Sequence, residues 1–122
     1  MRCTFEKKDR LLKRSEFIRL SKEGKKIQNE NFVAIFSNGK KKRTRLGITV
    51  TKRIGNATTR NRIKRFSREY FRLNRDFFTG CWDINIIAKR KVGELSSTNV
   101  YLSLKNIFKR ISGYDKNRKN TD

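Results

Sequence analysis

The sequence contains no histidine, and this absence excludes many familiar active sites. A Ser-His-Asp triad, proton transfer by imidazole and metal ligation by histidine all require that residue. Acidic residues are also few, 11 in a chain of 122. No two of them are paired in the local sequence as a two-metal nuclease site would require. We therefore expect no catalytic side chain and no protein metal site.

Cysteine and long apolar runs are scarce as well. Cys3 and Cys81 lie far apart, with no Cys-x-x-Cys spacing, so a zinc site lacks ligands and a disulfide framework is not indicated. The amino-terminal residues have no apolar segment typical of a secretory signal. The longest apolar run, from Phe32 to Phe36, is too short to span a bilayer. We expect two reduced thiols in a cytoplasmic protein without a membrane partner.

Positive charge is what the chain has in excess. Lysine and arginine number 33 against 11 acidic residues, which gives a net charge of +22. This charge exceeds what solubility requires, and its self-repulsion destabilises the compact state. A polyanion would relieve the repulsion, because neutralised phosphates release their counterions on binding. The composition predicts such a partner without distinguishing RNA from DNA.

The apolar pattern predicts a single domain of 1–122 in which helices pack on a mixed sheet, an α+β class. Asn38-Gly39 is a hairpin turn signal, and Asn56 can cap the helix that follows it. We expect the basic segment 1–10 and the polar tail 113–122 to be flexible. The expected elements are a helix 15–23 capped by Ser15, strands 31–37 and 45–51 paired as a hairpin, a helix 57–73, a strand 82–88, and a final helix capped by Ser96 or Ser97.

The helix 57–73 has two chemically different sides at about 100° per residue. Its predicted core side carries Ile63, Phe66, Tyr70 and Leu73, and its opposite side carries Arg60, Lys64, Arg65, Arg68 and Arg72, with Arg62 at the margin. A solvated helix normally mixes charge signs, whereas this one repels itself. Arg60 and Arg62 also lie in the first two turns, where the helix dipole disfavours cations. Phosphates would turn this repulsion into charge-assisted hydrogen bonds, so we interpret the basic side as a binding surface.

A resemblance narrows the type of nucleic acid. The segment Arg45 to Arg65 reads RLGITVTKRIGNATTRNRIKR and closely resembles the signature of the bacterial ribonuclease P protein family. That signature is a Gly-hydrophobic-small-Val strand, a basic turn with Gly-Asn-Ala, and an Arg-Asn-Arg motif opening a helix. Looser similarity covers nearly the whole domain.

The resemblance implies a fold and partners. The family fold is a small two-layer α+β sandwich with three helices on a mixed sheet of about four strands, and with a left-handed βαβ crossover. It is similar to the second domain of a ribosomal protein. The family's protein assists a catalytic RNA, which holds the magnesium ions and removes the 5′ leader of precursor tRNA. The implied partners are ribonuclease P RNA and precursor tRNA, with no protein partner required.

The resemblance also implies two sets of contact residues. Those expected to bind the catalytic RNA are Lys52, Arg53, Asn56, Arg60, Asn61, Arg62, Lys64, Arg65 and Arg68. Those expected to line a cleft for the single-stranded leader are Phe17, Ser21, Val33, Ile35, Thr49 and Thr51, with Gly47 keeping the groove open. Ser21 and Ile35 stand where the family often has aromatic residues. Phe17 therefore carries most of the stacking prediction, although plain core packing explains it equally well.

Two alternatives share the size and charge of this chain. A small basic ribosomal protein or general RNA chaperone would be expected to carry its charge in long disordered tails, whereas much of it here lies on a patterned helix. A DNA-binding domain would place the basic helix in a major groove, but no partner helix precedes it across a short turn. Both remain open at the level of the residues alone.

Overall fold

Three helices and four strands make up the fold. The computed structural model describes residues 7–39, 43–75, 78 and 80–120, without the side chains of Lys8 and residues 115–120. The elements are α1 (Arg14–Glu23), β1 (Lys25–Gln28), β2 (Phe32–Asn38), β3 (Arg45–Thr49), α2 (Ala57–Asn74), β4 (Trp82–Ala88) and α3 (Ser97–Asn120). The described residues also include the Lys7 turn (Lys7–Asp9), the Lys52 turn (Lys52–Ile54) and the Arg90 turn (Arg90–Glu94), which are short 3₁₀ turns.

The sheet has the order β1-β2-β4-β3. The predicted hairpin between β2 and β3 is therefore wrong, because β4 lies between them, antiparallel to β2 and parallel to β3. The reason is that β4 is buried along nearly its whole length on both faces, and a position between two strands pairs both of its edges. The actual hairpin joins β1 to β2, with Ile27 opposite Ala34. Sequence reasoning missed β1, which is four residues long and buries Ile27 alone.

The predicted fold class is confirmed: it is α+β, with three helices and a mixed four-stranded sheet. The connection from β3 through α2 to the parallel strand β4 is present, and its left hand stays a prediction. One face of the sheet meets α2 and α3 in the main core, while a smaller cluster of Leu11, Leu20 and Ile35 lies on the other face. The main core includes Phe32, Phe36, Leu46, Ile63, Phe71, Ile84, Ile86, Leu104 and Ile107.

The helix caps were only partly predicted. Asn56 caps α2 as expected, because its Oδ1 accepts a hydrogen bond from the Thr59 N–H at 2.9 Å. Ser96 caps α3, since its Oγ accepts from the Asn99 N–H at 3.3 Å. Helix α1 begins at Arg14, one residue before the predicted cap Ser15. Its first turn is closed instead by a Glu16 oxygen that accepts from the Lys13 N–H.

The buried side of α2 differs from the prediction at its end. Ile63, Ser67 and Phe71 are the buried residues, and Phe66 and Tyr70 pack at the margin of the core. Leu73 is 56% exposed, so its predicted place in the core is wrong. At about 100° per residue Leu73 lies some 80° from Ile63, on the margin opposite Phe71. The core therefore uses Phe71, which the amphipathic pattern had not singled out.

Both ends of the described chain are structured further than the composition indicated. Asp9 is 1% exposed and pairs with Arg43 and Arg75, and the Leu11 N–H donates to the Leu46 carbonyl at 3.0 Å. Helix α3 continues past Gly113 to Asn120. Cys3 and the basic loop residues 40–42 lie outside the described residues. The flexibility expected for the two termini stays a prediction.

A buried ion-pair network attaches α1 to the sheet. Asp83 is fully buried and accepts two hydrogen bonds from Arg45, both at 3.0 Å, and one from Arg19 at 3.1 Å. Arg45 also contacts Glu16, with Nη1 and Oε2 2.6 Å apart. Hydrogen bonding to Asp83 is the main cause that raises the pKa of Arg45. Burial opposes ionisation of Glu16, but bonds from Arg45 and Lys13 and the charge of Arg45 together lower its pKa.

The network predicts a large stability loss for Asp83→Ala. Removing this carboxylate leaves the guanidinium of Arg45 buried with Glu16 alone, which should lower the free energy of unfolding by about 3 kcal/mol. Urea unfolding followed by circular dichroism measures the loss. The control is Glu69→Ala, which breaks a partly exposed pair with Arg72 and should change stability by less than about 1 kcal/mol. Equal losses in the two variants would contradict the role assigned to Asp83.

Glu16 predicts a defined pH dependence. Because its folded pKa lies below the ordinary value of 4.5, its stabilisation is complete above that value and is lost as pH falls through the folded pKa. The difference in unfolding free energy between the protein and Glu16→Gln should therefore be constant above about pH 5.5 and shrink below pH 4.5. Urea midpoints measured across this range check it. A difference that grows towards low pH would have the wrong sign.

Candidate nucleic-acid interface

Three segments meet at the amino-terminal end of α2. Gly55 has a φ of 155°, a conformation that favours glycine, and it turns the chain from the Lys52 turn into the cap of α2. Gly93 in the Arg90 turn lies so close to the Lys52 turn that an added Cβ would be 2.4 Å from the Ile54 carbonyl oxygen. The Lys52 turn, the start of α2 and the Arg90 turn therefore form one continuous surface, which we call the basic surface.

All nine residues predicted to bind the catalytic RNA lie on the Lys52 turn, at the cap of α2 or along α2. Lys52, Arg53, Asn56, Asn61 and Arg65 are exposed, and Arg60, Arg62, Lys64 and Arg68 are half-buried. Asn56 uses its side-chain oxygen as the helix cap, so that atom is committed to the fold. Two further exposed cations, Arg90 and Lys91, belong to the same surface. They lie far from the Lys52 turn along the chain, and the packing of Gly93 brings them to this surface.

Arg62 has a structural partner that its place in the motif did not reveal. Its Nη2 donates to the carbonyls of Gly93 at 3.2 Å and Leu95 at 3.4 Å. Its guanidinium also lies over the Phe66 ring, 5.8 Å from the centroid. Arg62 therefore holds the Arg90 turn against α2. A direct contact of Arg62 with RNA stays a prediction.

The positive charge continues from α2 onto the amino-terminal segment. Arg10, Arg65, Arg68, Glu69 and Arg72 surround a shallow depression of about 270 Å³. Burial, and then the neighbouring charge of Arg10, lower the pKa of Arg68. Arg10 reaches this position because its backbone bridges to Leu46 at the start of β3. No local pattern predicts this contribution, since Arg10 is far from α2 along the chain.

The second candidate site lies on the other face of the sheet, beside α1. Phe17 occupies the space above Gly47, where an added Cβ would lie 2.5 Å from the Phe17 Cε1 atom. Gly47 was expected to leave the groove open, and this is wrong because the missing side chain makes room for Phe17. The next row along the sheet consists of Val33, Ile87 and Thr49, all half-buried. This row is the open part of the cleft.

The remaining predicted cleft residues are less central. Ile35 is 8% exposed and packs near Gly24 at the end of α1, so it supports the cleft from below. Ser21 is exposed on α1, one turn after Phe17, and Thr51 is exposed beyond the end of β3. Ile87 was missed, although the alternation of β4 places it on the same face as Asp83.

The described part of the chain contains neither a candidate metal site nor a candidate membrane span. There, no three histidine, cysteine, aspartate or glutamate side chains come together in a way that could hold a metal ion. Within the same residues, no helix is long and apolar enough to cross a membrane.

Comparison with known proteins identifies the family. The family model described as Ribonuclease P matches residues 5–112. The chain belongs to the ribonuclease P protein family. The ribonuclease P protein component of Desulfosudis oleivorans is 49% identical over 109 residues, which cover 89% of this chain and 90% of the relative. That of Thermotoga maritima is 39% identical over 114 residues, covering 90% and 97%.

Solved structures agree with this assignment. The ribonuclease P protein of Staphylococcus aureus superposes with a TM-score of 0.81 at 34% identity, covering 84% of this chain and 94% of that one. The Thermotoga maritima protein superposes with a TM-score of 0.75, covering 83% and 96%. The predicted function as protein subunit of ribonuclease P, an RNA-based endoribonuclease, is confirmed. The ribosomal-protein and RNA-chaperone alternative finds no support.

The bonds of Arg62 predict a local effect of Arg62→Ala. Without its two carbonyl contacts the Arg90 turn should open more often, so the amides of Val92 and Leu95 should exchange hydrogen several-fold faster. Arg65→Ala is the matched control, because Arg65 also lies near the Phe66 ring but is an exposed residue. Native-state hydrogen exchange measures both variants. Equal exchange in the two would show that Arg62 does not hold the turn.

Proposed function

We propose that the basic surface binds the catalytic RNA of ribonuclease P, and that the cleft beside Phe17 receives the 5′ leader of precursor tRNA. The observation that carries the proposal is the convergence of the Lys52 turn, α2 and the Arg90 turn on one strongly cationic surface. Glu69 is the only acidic residue on α2 as far as Asn74. A cytoplasmic location and the absence of a required protein partner stay predictions.

The chemistry of the basic surface suits a folded RNA backbone. Arginine side chains form paired, charge-assisted bonds with phosphate oxygens, and each neutralised phosphate releases counterions. The cations at the start of α2 are unfavourable in the isolated protein, because they face the positive end of the helix dipole. Bound phosphates would reverse this effect. In this proposal the RNA holds the magnesium ions, and the protein reduces the magnesium needed by neutralising phosphates.

The cleft suits a single strand better than a duplex. Phe17 is half-buried, so it packs on Gly47 and still exposes part of its ring for a base. Val33 and Ile87 provide a further apolar surface beside it. Lys26 is exposed on the neighbouring strand β1, opposite Ile35, where the pleat directs it to the same face. A base platform next to a cation is the usual arrangement for binding an unpaired strand.

Reconstitution tests the proposal directly. A bacterial ribonuclease P RNA and a precursor tRNA are incubated at low magnesium with and without the protein. Cleavage of the leader should be faster with the protein, because the added cations replace part of the magnesium requirement. Cleavage that is no faster with the protein than without it would refute the proposal.

Single charge removals distinguish a site from diffuse attraction. Arg60→Ala and Arg65→Ala should each weaken binding to ribonuclease P RNA roughly tenfold, through loss of a charge-assisted hydrogen bond. Each should also make the slope of log affinity against log salt concentration shallower, by about the amount that one phosphate contact contributes. Lys105→Ala and Lys109→Ala, exposed on α3, are controls with the same charge change. Filter binding at several salt concentrations measures all four, and equal losses would indicate diffuse electrostatics.

A further inference from the structure

One polar side chain in the floor of the cleft is not explained by the fold. Asn85 lies in the middle of β4, between Ile35 on β2 and Gly47 on β3. It is 7% exposed, and the apolar cluster on this face of the sheet includes Phe17, Leu20 and Ile87. An amide on an apolar surface destabilises the fold unless its polar atoms are hydrogen-bonded. An aliphatic residue at this position would pack as well without that penalty.

The hydrogen bonds of Asn85 are incomplete. Its Oδ1 accepts from the Thr49 hydroxyl at 3.2 Å. Within the described parts of the chain its Nδ2 has no hydrogen-bond partner. This nitrogen is accessible to solvent. A side-chain amide offers two donors and two acceptor sites, so most of its capacity is unused. With the amide turned the other way, Thr49 would satisfy the nitrogen and leave the oxygen free.

The free amide group adjoins the open part of the cleft. Asn85 precedes Ile87 by two residues on the same face of β4, and its partner Thr49 is opposite Ile87. A base lying on Val33 and Ile87 would therefore have its edge beside Asn85 and its face near Phe17. Hydrogen bonds to base edges read sequence, whereas stacking on aromatic rings accepts any base.

We propose that Asn85 is a specificity-determining residue that hydrogen-bonds the edge of one base of the single-stranded leader. This inference rests on the proposed leader cleft and adds base selection to it. Thr49 is a positioning residue here, because its hydroxyl fixes one polar atom of the amide and directs the other to the base. The ligand class is an unpaired RNA base with a donor or acceptor on its exposed edge.

The test uses the reconstituted holoenzyme and Asn85→Leu, which keeps the side-chain volume and suits an apolar face. Affinity for precursor tRNA with a long leader should fall roughly fivefold, the effect of one hydrogen bond. Affinity for a substrate with a one-nucleotide leader, and for the RNA subunit, should not change. With leaders varied one base at a time, the protein should prefer certain bases at one position, and Asn85→Leu should lose that preference.

Two further variants separate the possible outcomes. Asn99→Leu, an exposed position on α3, is the matched control and should behave as the unmodified protein. Phe17→Leu tests the cleft itself and should weaken long-leader binding at every sequence. If Phe17→Leu has this effect but Asn85→Leu keeps full affinity and base preference, the role of Asn85 is refuted and the cleft stands. If neither variant affects leader binding, the leader cleft is refuted as well.

A structural role for Asn85 gives a different pattern. If Asn85→Leu weakens the short-leader and long-leader substrates equally, the residue acts on the fold and the inference is overturned. The thermal midpoint of the variant provides an independent reading, and we expect it to stay equal or to rise, because a polar group has been removed from an apolar face.

Discussion

The cleft beside Phe17 depends on the pairing of Arg45 with Asp83. The two residues are opposite each other on the parallel strands β3 and β4, and both are buried. A buried guanidinium and carboxylate must remain paired, because either one alone would be strongly destabilising. Glu16 and Arg19 extend the pair to α1 and fix the helix over one end of the sheet. The other end of that face is left partly uncovered, and this is why a cleft exists.

The two faces of the sheet support two different binding surfaces. On one face, Ile63 and Phe71 anchor α2 in a large apolar core, and the helix consequently directs its arginines outward. On the other face the apolar cluster is small and includes the half-buried Phe17. The helix anchored on the first face therefore presents a cationic surface on a well-packed support, which suits phosphates. The second produces a shallow platform, which suits unstacked bases.

Part of the fold and of the candidate sites could be predicted from interactions between neighbouring residues. The cap at Asn56 depends only on neighbouring residues, and it appears in the structure as predicted. Strand neighbours depend on distant contacts, so Asn38-Gly39 indicated a turn without showing that β4 would lie beside β2. The carbonyl partners of Arg62 and the filling of the space at Gly47 are also tertiary effects. The motif from Arg45 to Arg65 located the basic surface, whereas the open hydrogen bonds of Asn85 could be found only from the packed sheet.

The short connection between β3 and α2 has a mechanical consequence. Thr49 ends β3 in the cleft, and Lys52 opens the basic surface only three residues later. Three residues of extended chain reach about 11 Å at most. Gly55 and the close packing of Gly93 leave this connection little room to change its length. In the proposed complex this short, stiff connection therefore fixes the distance between the leader strand and the catalytic RNA.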